Sequence, residues 1–168
     1  MIAGTADLLR AEISDRERFA RLLEARVHQA WGQGRDYQEA MTSMAQRLEE
    51  DPDETGWWSW YFVLHNRVTG QRMLIGTGGF KGPPDQDGTV EIGYALLPPH
   101  RNRGYTTEAV EALLTWAFGH PEVARVIAEA LPGNTASVRV LQKVSFREVG
   151  PGSRNHLRFE MGRQDLRA

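Results

Sequence analysis

The chain has 168 residues, a formal net charge of −2 and a hydrophobic share of 40%. This length and composition are typical of one globular domain with its own core, and we predict a single domain over residues 1–168. The near-neutral charge excludes a broadly basic surface for DNA or RNA, so no nucleic-acid partner is expected. Because cysteine is absent, disulfides, thiolate metal sites and a cysteine nucleophile are excluded as well.

Two further features bear on location and on metals. No apolar run approaches the length of a membrane span, and the first residues lack the basic-then-apolar order of a secretory signal. We therefore expect a cytoplasmic protein without a membrane partner. The five histidines show no spacing typical of metal ligands, so no metal site is predicted.

The beginning of the chain predicts one strand followed by one helix. Leu8–Ile13 reads as a short strand. Ser14, with Glu17 three residues later, has the pattern of a capping box and predicts that a helix starts there. The glycines Gly32 and Gly34 are expected to end this helix.

The remaining elements follow from hydrophobic periodicity and turn residues. Three more helices are predicted, from about Asp36 to Glu50, from Thr106 to Phe118 and from Asn134 to Lys143. Six more strands are predicted at Trp57–His65, Met73–Phe80, Thr89–Leu96, Val123–Leu131, Phe146–Val149 and Leu157–Met161.

This order of elements predicts an α+β fold of the α/β sandwich type. An antiparallel meander followed by alternating helices and strands gives a mixed, mostly antiparallel central sheet of about six to seven strands, flanked by helices on both faces. Thr89–Leu96 is expected at the centre of that sheet, and a cationic turn follows it.

The cationic turn lies between Leu97 and Ala109 and runs directly into the predicted helix. The first N–H groups of a helix lack intrahelical partners and sit at the positive end of its dipole, so they bind phosphate well. Arg101 and Arg103 add formal charge, and Gly104 permits a tight turn. The alternative is an ordinary surface loop. The segment has neither the ending of a P-loop nor the three glycines of a dinucleotide fingerprint.

Three segments stand in one order: Glu-Ile-Gly-Tyr at 91–94, Arg-Asn-Arg-Gly-Tyr-Thr at 101–106, and Asn-Thr-Ala-Ser at 134–137 leading to Lys-Val-Ser-Phe at 143–146. Together they resemble the GNAT superfamily of acetyl-CoA-dependent N-acetyltransferases. The resemblance is greatest to the ribosomal-protein N-terminal (alanine/serine) acetyltransferase branch. It implies a GNAT-like fold and one acyl-CoA N-acyltransferase domain.

The resemblance also implies a site for acetyl-CoA. The cationic turn would wrap the CoA pyrophosphate with backbone N–H groups. The end of the central strand, splayed from its neighbour, would hold the pantetheine arm, and the later helix would contact the arm near the thioester. The cofactor-binding residues implied are Leu96, Leu97, Arg101, Asn102, Arg103, Gly104, Tyr105, Thr106, Asn134 and Ser137.

The chain departs from the pattern of this branch at four positions. Asn102 and Ser145 stand where glycine is usual, and Thr106 stands where glycine or alanine is usual. We interpret the change at Ser145 as one of turn geometry rather than chemistry. Leu141 stands where many members have the tyrosine that protonates the departing thiolate, so the acid is Ser137, a water or no dedicated group.

Acetyl transfer needs a neutral amine, and alkyl amines are mostly protonated at neutral pH, so a base is required. Glu91 on the central strand is the predicted base, acting directly or through a water. Its alternative role is a surface glutamate in a salt bridge, and Glu129 on the next strand is the reserve candidate. A backbone N–H near Leu96 would polarise the carbonyl.

The sequence therefore predicts transfer of an acetyl group from acetyl-CoA to a primary amine, by direct attack in a ternary complex. The acceptor is a protein N-terminal α-amine or a small-molecule amine, because fold and donor site do not specify the second substrate. The alternative is a non-catalytic acyl-CoA-binding sensor with the same fold. The resemblance also implies a possible homodimer.

Overall fold

A computed structural model describes residues 1–166 of the chain. The strands are β1 Ile2–Ala3, β2 Ser59–His65, β3 Arg72–Phe80, β4 Thr89–Leu96, β5 Arg125–Ala130, β6 Arg147–Pro151 and β7 Leu157–Gly162. The helices are α1 Ala6–Ser14, α2 Arg16–Leu23, α3 Arg35–Glu50, α4 Tyr105–Phe118 and α5 Thr135–Lys143.

Within residues 1–166 the strands form a seven-stranded sheet in the order β1–β2–β3–β4–β5–β7–β6. β4 and β5 pair in parallel, whereas the pairs β1–β2, β5–β7 and β6–β7 are antiparallel. The sheet is therefore mixed, and β4 is its central strand. The predicted α+β fold with a mixed sheet flanked by helices is confirmed.

The chain packs as two compact units, Met1–Thr77 and a second that begins at Gly78. The first holds α1, α2, α3, β1 and β2, and the second holds α4, α5 and the strands from β4 onward. A single domain over the whole chain stays a prediction.

The predicted strand at Leu8–Ile13 is wrong, because these residues belong to helix α1. The stretch from Leu9 to Ile13 alternates apolar and polar residues and so imitates a strand. Thr5, however, caps the helix by accepting a hydrogen bond from the Leu8 N–H at 3.3 Å, and Leu8, Leu9 and Ala11 all lie in the core. The first strand is instead the short β1, which pairs with β2.

The predicted boundaries of the following helix are also wrong. Its N-cap is Asp15, which accepts from the Arg18 N–H at 2.9 Å, whereas Ser14 ends α1 and donates to a carbonyl one turn back. The helix ends at Leu23, well before Gly32. Backbone bonds between Arg26 and β3, 2.9 Å in each direction, hold the chain extended there. Pairing with a strand thus overrides the helical periodicity of this stretch.

Glu12 of α1 organises the interior of the first unit. Its Oε1 accepts hydrogen bonds from Trp31 Nε1 at 2.6 Å and from the Tyr37 hydroxyl at 2.5 Å. Its Oε2 accepts from the Tyr61 hydroxyl at 2.5 Å. Burial and the Glu12 charge both raise the pKa of Tyr37 and of Tyr61, because a phenolate beside a carboxylate is disfavoured.

In the second unit the strand register divides the sheet into two faces. The core face holds Val90, Ile92, Val126, Ala128, Phe159 and Met161, all buried. The opposite face carries Glu91, Ile127, Glu129, Arg158 and Glu160, of which all but Ile127 are half-buried. The charged residues of β4, β5 and β7 therefore share one face.

The raised pKa values of Tyr37 and Tyr61 predict that the free energy of unfolding falls at alkaline pH. Their folded-state pKa values are raised above the ordinary 10.0, so the folded chain keeps protons that the unfolded chain loses above pH 10 or so. The stabilisation is fully present below that pH and falls by up to about 1.4 kcal/mol per pH unit per tyrosine above it. Urea unfolding from pH 8 to 11 measures the slope.

Two variants test whether the slope comes from this cluster. The double variant Tyr37→Phe/Tyr61→Phe should show a flatter fall above pH 10, and the matched control Tyr105→Phe, in α4, should follow the parent chain. If the double variant kept the parent slope, the cluster would not be the cause.

Ser145 supplies a second stability prediction. It has φ +73°, a left-handed conformation that costs a residue with a Cβ about 1–2 kcal/mol. Part of this cost is offset because glycine loses more backbone entropy on folding. Ser145→Gly should therefore raise the free energy of unfolding by about 0.5–1 kcal/mol. Ser43→Gly, inside helix α3, is the matched control and should lower it by about 0.5 kcal/mol.

Candidate functional site

The parallel pairing of β4 with β5 stops before either strand ends. The register runs from Thr89↔Arg125 to Ile92↔Ala128 and no further, although β4 continues to Leu96. The last two residues of β5 pair only with β7. We call the opening beside residues 93–96 the β4–β5 cleft. It provides the unpaired strand edge that an extended ligand arm needs.

The residues after β4 hold its end in place. Leu96 is buried, and its carbonyl accepts a hydrogen bond from Arg101 Nε at 3.0 Å. Between them the chain makes a short 3₁₀ turn at Pro98–His100. Arg101 thus ties the turn to the strand, and its terminal guanidinium nitrogens remain for an anion.

The turn itself requires two left-handed residues. Asn102 has φ +60° and Gly104 has φ +84°. Asparagine is among the few residues with a side chain that tolerate this conformation, which explains how it can stand at a position where the resembled branch has glycine. Arg101, Asn102, Arg103 and Gly104 are all exposed.

Helix α4 starts without a side-chain cap. Its N-cap residue, Gly104, makes no side-chain hydrogen bond, whereas Thr5, Asp15 and Asn134 cap α1, α2 and α5. The first N–H groups of α4, from Tyr105 onward, are therefore left for a ligand or water. Arg103 makes no hydrogen bond or ion pair with residues 1–166. The arrangement is an anion site of the predicted kind.

Helix α5 is joined to β4 at the cleft. The Tyr94 hydroxyl donates to the Ser137 carbonyl at 3.3 Å, and burial raises the pKa of Tyr94 to about 12. Asn134 Oδ1 accepts from the Ser137 N–H at 3.2 Å, and its amide nitrogen can donate to a ligand. The Ser137 hydroxyl makes no hydrogen bond with the described part of the chain. Tyr94 belongs to the motif at 91–94, but the sequence pattern predicts no role for it.

Glu91 forms an ion pair that spacing did not predict. Its Oε1 contacts the ammonium group of Lys81, and the Lys81 N–H donates to the Glu91 carbonyl at 3.0 Å. The Glu91 side chain is 23% exposed and that of Lys81 is 66% exposed. Glu91 directly precedes Ile92, the last residue of β4 that pairs with β5. Its carboxylate already binds the amine of Lys81.

Glu129 lies on the same sheet face but is held differently. The Ser153 hydroxyl and the Ser153 N–H both donate to its carboxylate at 2.5 and 3.0 Å. These hydrogen bonds lower the pKa of Glu129, because they stabilise the ionised form. A carboxylate stabilised in this way is a weaker proton acceptor than an unbonded one, which reduces its value as the reserve base.

At the position where many members of the resembled superfamily have a tyrosine, this chain has a core residue, Leu141. Leu141 is 1% exposed and lies inside the second unit. It offers no proton, so a proton donor at the cleft must come from other groups, of which the Ser137 hydroxyl is one.

Residues 1–166 contain a further cavity away from the cleft. This separate cavity of about 210 Å³ lies between α4, α5 and β7, with Glu111, Leu114 and Lys143 in its lining. No group of three metal-binding side chains is found in that part of the chain. None of its helices is both long and apolar enough to cross a membrane.

Comparison with known proteins bears on the family. Residues 7–147 match the acetyltransferase (GNAT) domain. A stretch of 111 residues, 66% of this chain, is 32% identical to the uncharacterized N-acetyltransferase YjdG of Bacillus subtilis. This match spans 64% of YjdG. A second stretch, 46% of this chain, is 36% identical to the uncharacterized N-acetyltransferase p20 of Bacillus licheniformis and spans 43% of that protein. The chain thus covers less than two thirds of the length of both relatives.

Solved structures share the fold at low sequence identity. The ribosomal-protein-S5-alanine acetyltransferase from Vibrio fischeri has a TM-score of 0.65 and 16% identity, over 99% of this chain and 93% of that one. RimJ of Mycobacterium smegmatis, solved in complex with CoA-disulfide, has a TM-score of 0.63 and 20% identity, over 98% and 82%. With the match over residues 7–147, these findings show that the chain belongs to the GNAT acetyltransferase family.

Proposed function

We propose that the protein transfers an acetyl group from acetyl-CoA to a primary amine, by direct attack in a ternary complex. The observation that carries the proposal is the continuity of one segment: β4 leaves β5 after Ile92, and the same strand leads through an arginine turn into the uncapped start of α4. A strand edge and an anion site thus follow each other within one stretch of chain.

The donor would lie along this segment. The N–H groups at the start of α4, with Arg101 and Arg103, would bind the pyrophosphate by charge-assisted hydrogen bonds. The backbone from 93 to 97 would hold the pantetheine arm as an added strand. The amide nitrogen of Asn134 and the hydroxyl of Ser137 would contact the arm from α5.

Acetyl-CoA supplies the acyl thioester, and the chain supplies position and proton transfer. Glu91 would take the proton of the acceptor ammonium, directly or through a water, once that ammonium displaces the exposed Lys81 from the carboxylate. A backbone N–H near Leu96 would stabilise charge that develops on the carbonyl oxygen. Ser137 would hold a proton near the sulfur. Much of the rate would come from holding amine and thioester in line.

The acceptor is proposed at the level of its chemistry, as a protein N-terminal α-amine or a small-molecule amine. The carboxylates of Glu91 and Glu129 on one sheet face favour a group that arrives as a cation. A cytoplasmic location, for which the lack of cysteine is suggestive, and a homodimer belong to the same proposal.

A specific observation supports a second candidate, a non-catalytic acyl-CoA sensor. Leu141 is buried where many members have the proton donor, and the predicted base is ion-paired with Lys81. A chain of this kind would keep the donor site and lack turnover.

Thiol release with a panel of peptide and small amines separates the two candidates. The enzyme should release CoA thiol in proportion to acetylated acceptor measured by mass. CoA binding without acetylation of any acceptor would favour the sensor.

Arg103→Ala tests the anion site. Removing one charge from the exposed turn should raise the Kd for CoA about 10-fold, because a charge-assisted contact to phosphate is lost. Calorimetric titration with CoA measures the change. Arg67→Ala, an exposed arginine of the first unit, is the control and should bind CoA like the parent chain; an equal loss in both variants would refute a local role for Arg103.

Glu91→Gln tests the base. Turnover should fall by about 100-fold near neutral pH, in the range typical of general bases. The loss should be greatest at acidic pH, where little free amine is present, and should shrink as pH rises. The pH profile of kcat/KM measures this. Glu160→Gln, on the same sheet face, should keep the parent profile, and an unchanged profile in Glu91→Gln would eliminate Glu91 as the base.

A further inference from the structure

We propose that Lys81 is a self-acetylation site, at which the protein transfers an acetyl group from acetyl-CoA to its own side chain. The inference rests on the proposed function, because it uses the same donor and the same base. It assigns a modification site and a first amine substrate to the chain itself.

The position of the Lys81 amine is the main support. Its Nζ contacts Oε1 of Glu91, which is where an acceptor ammonium would have to bind for Glu91 to deprotonate it. Glu91 is two residues before Gly93, where the β4–β5 cleft begins, so its backbone lies two strand steps, or about 6.6 Å along the chain, from the cleft. The side chain is 66% exposed and has four rotatable carbons with which to reach the cleft.

The backbone keeps Lys81 close to the base in every side-chain conformation. Its N–H donates to the Glu91 carbonyl at 3.0 Å. Holding two reacting groups together in this way makes the transfer effectively unimolecular, and tethering is worth large factors in rate. Glu129 is a second carboxylate on the same sheet face as Glu91. Its pKa is lowered mainly by the Ser153 hydrogen bonds and to a lesser extent by the Lys81 charge, so a second anion attracts the ammonium to this face.

The composition of the chain makes this lysine unusual. The sequence has 20 basic residues and only two lysines, Lys81 and Lys143. Arginine stays protonated and does not compete as a nucleophile. Lys143 lies at the end of α5 and lines the separate cavity between α4, α5 and β7. It is therefore an internal control of the same chemistry.

The reaction balances without any further reagent. The Lys81 ammonium gives a proton to Glu91, and the neutral nitrogen forms a bond to the acetyl carbon. The carbon–sulfur bond breaks, and its electron pair leaves with the CoA sulfur. The second nitrogen proton and the proton on Glu91 are released, one to the thiolate and one to solvent. The products are acetyl-Lys81 and CoA, and the charge of Lys81 is lost.

Incubation of the full chain with acetyl-CoA, followed by intact mass and peptide mapping, tests the proposal. Lys81 should be acetylated at least about 10-fold faster than Lys143, as tethering predicts. The half-time should not depend on protein concentration. Lys81→Arg should remove the fast acetylation while keeping a cation for Glu91, and Glu91→Gln should slow acetylation at Lys81 but not at Lys143.

Acetyl phosphate, a donor without the CoA moiety, separates site-directed transfer from intrinsic reactivity and should show no preference for Lys81. Equal rates at the two lysines with acetyl-CoA, the same preference with acetyl phosphate, or a rate that rises with protein concentration would each overturn the proposal. If amines of the panel are acetylated and Lys81 is not, the inference falls and the proposed function stands. If neither is acetylated although CoA binds, both fall.

Discussion

Strand β5 leaves β4 before β4 ends: all six residues of β5 pair with β7, but only the first four also pair with β4. β4 and β5 share only four pairs, and the backbone groups that face β5 beyond Ile92 have no partner on that strand. Polar backbone groups inside a protein must be paired with protein, water or a ligand. The backbone groups of β4 that face the cleft therefore need water or a ligand as hydrogen-bond partners. The other groups of the candidate site surround this unpaired edge.

Two hydrogen bonds hold the strand at this cleft, and groups of opposite charge lie at its two ends. Tyr94 connects the unpaired part of β4 to α5, and Arg101 holds the end of the strand through the Leu96 carbonyl. Cations lie beyond the end of the strand and carboxylates lie just before the cleft. An anionic donor and a cationic acceptor would thus meet at the cleft from opposite ends, with their charges matched to the groups they pass.

Local patterns predicted much of the second unit. Thr89–Leu96 was predicted with both boundaries correct, and α4 starts one residue earlier than predicted. These elements have clear periodicity and turn residues at both ends. The predicted strand at Leu8–Ile13 failed because five alternating residues imitate a strand. Only the cap at Thr5, three residues before Leu8, distinguishes the helix.

Contacts between residues that are far apart in the sequence could not be predicted from local sequence patterns. Glu12 and Tyr61 are 49 residues apart, and nothing in their spacing indicates that a carboxylate will meet three aromatic donors. The pair of Lys81 and Glu91 was foreseen only as a general alternative, a glutamate in a salt bridge. Its partner could have been suspected, since Lys81 is one of two lysines and directly follows a strand that ends near the predicted base.

The proposed function requires that the β4–β5 cleft and the uncapped start of α4 bind CoA together. Backbone amide chemical shifts during titration with CoA test it most directly, because they report each N–H group separately. The largest changes should occur at residues 93–97 and 103–107, with none at the equally uncapped start of α3 near Gly34. Changes confined to the cavity beside Glu111 and Lys143, or to the start of α3, would contradict it.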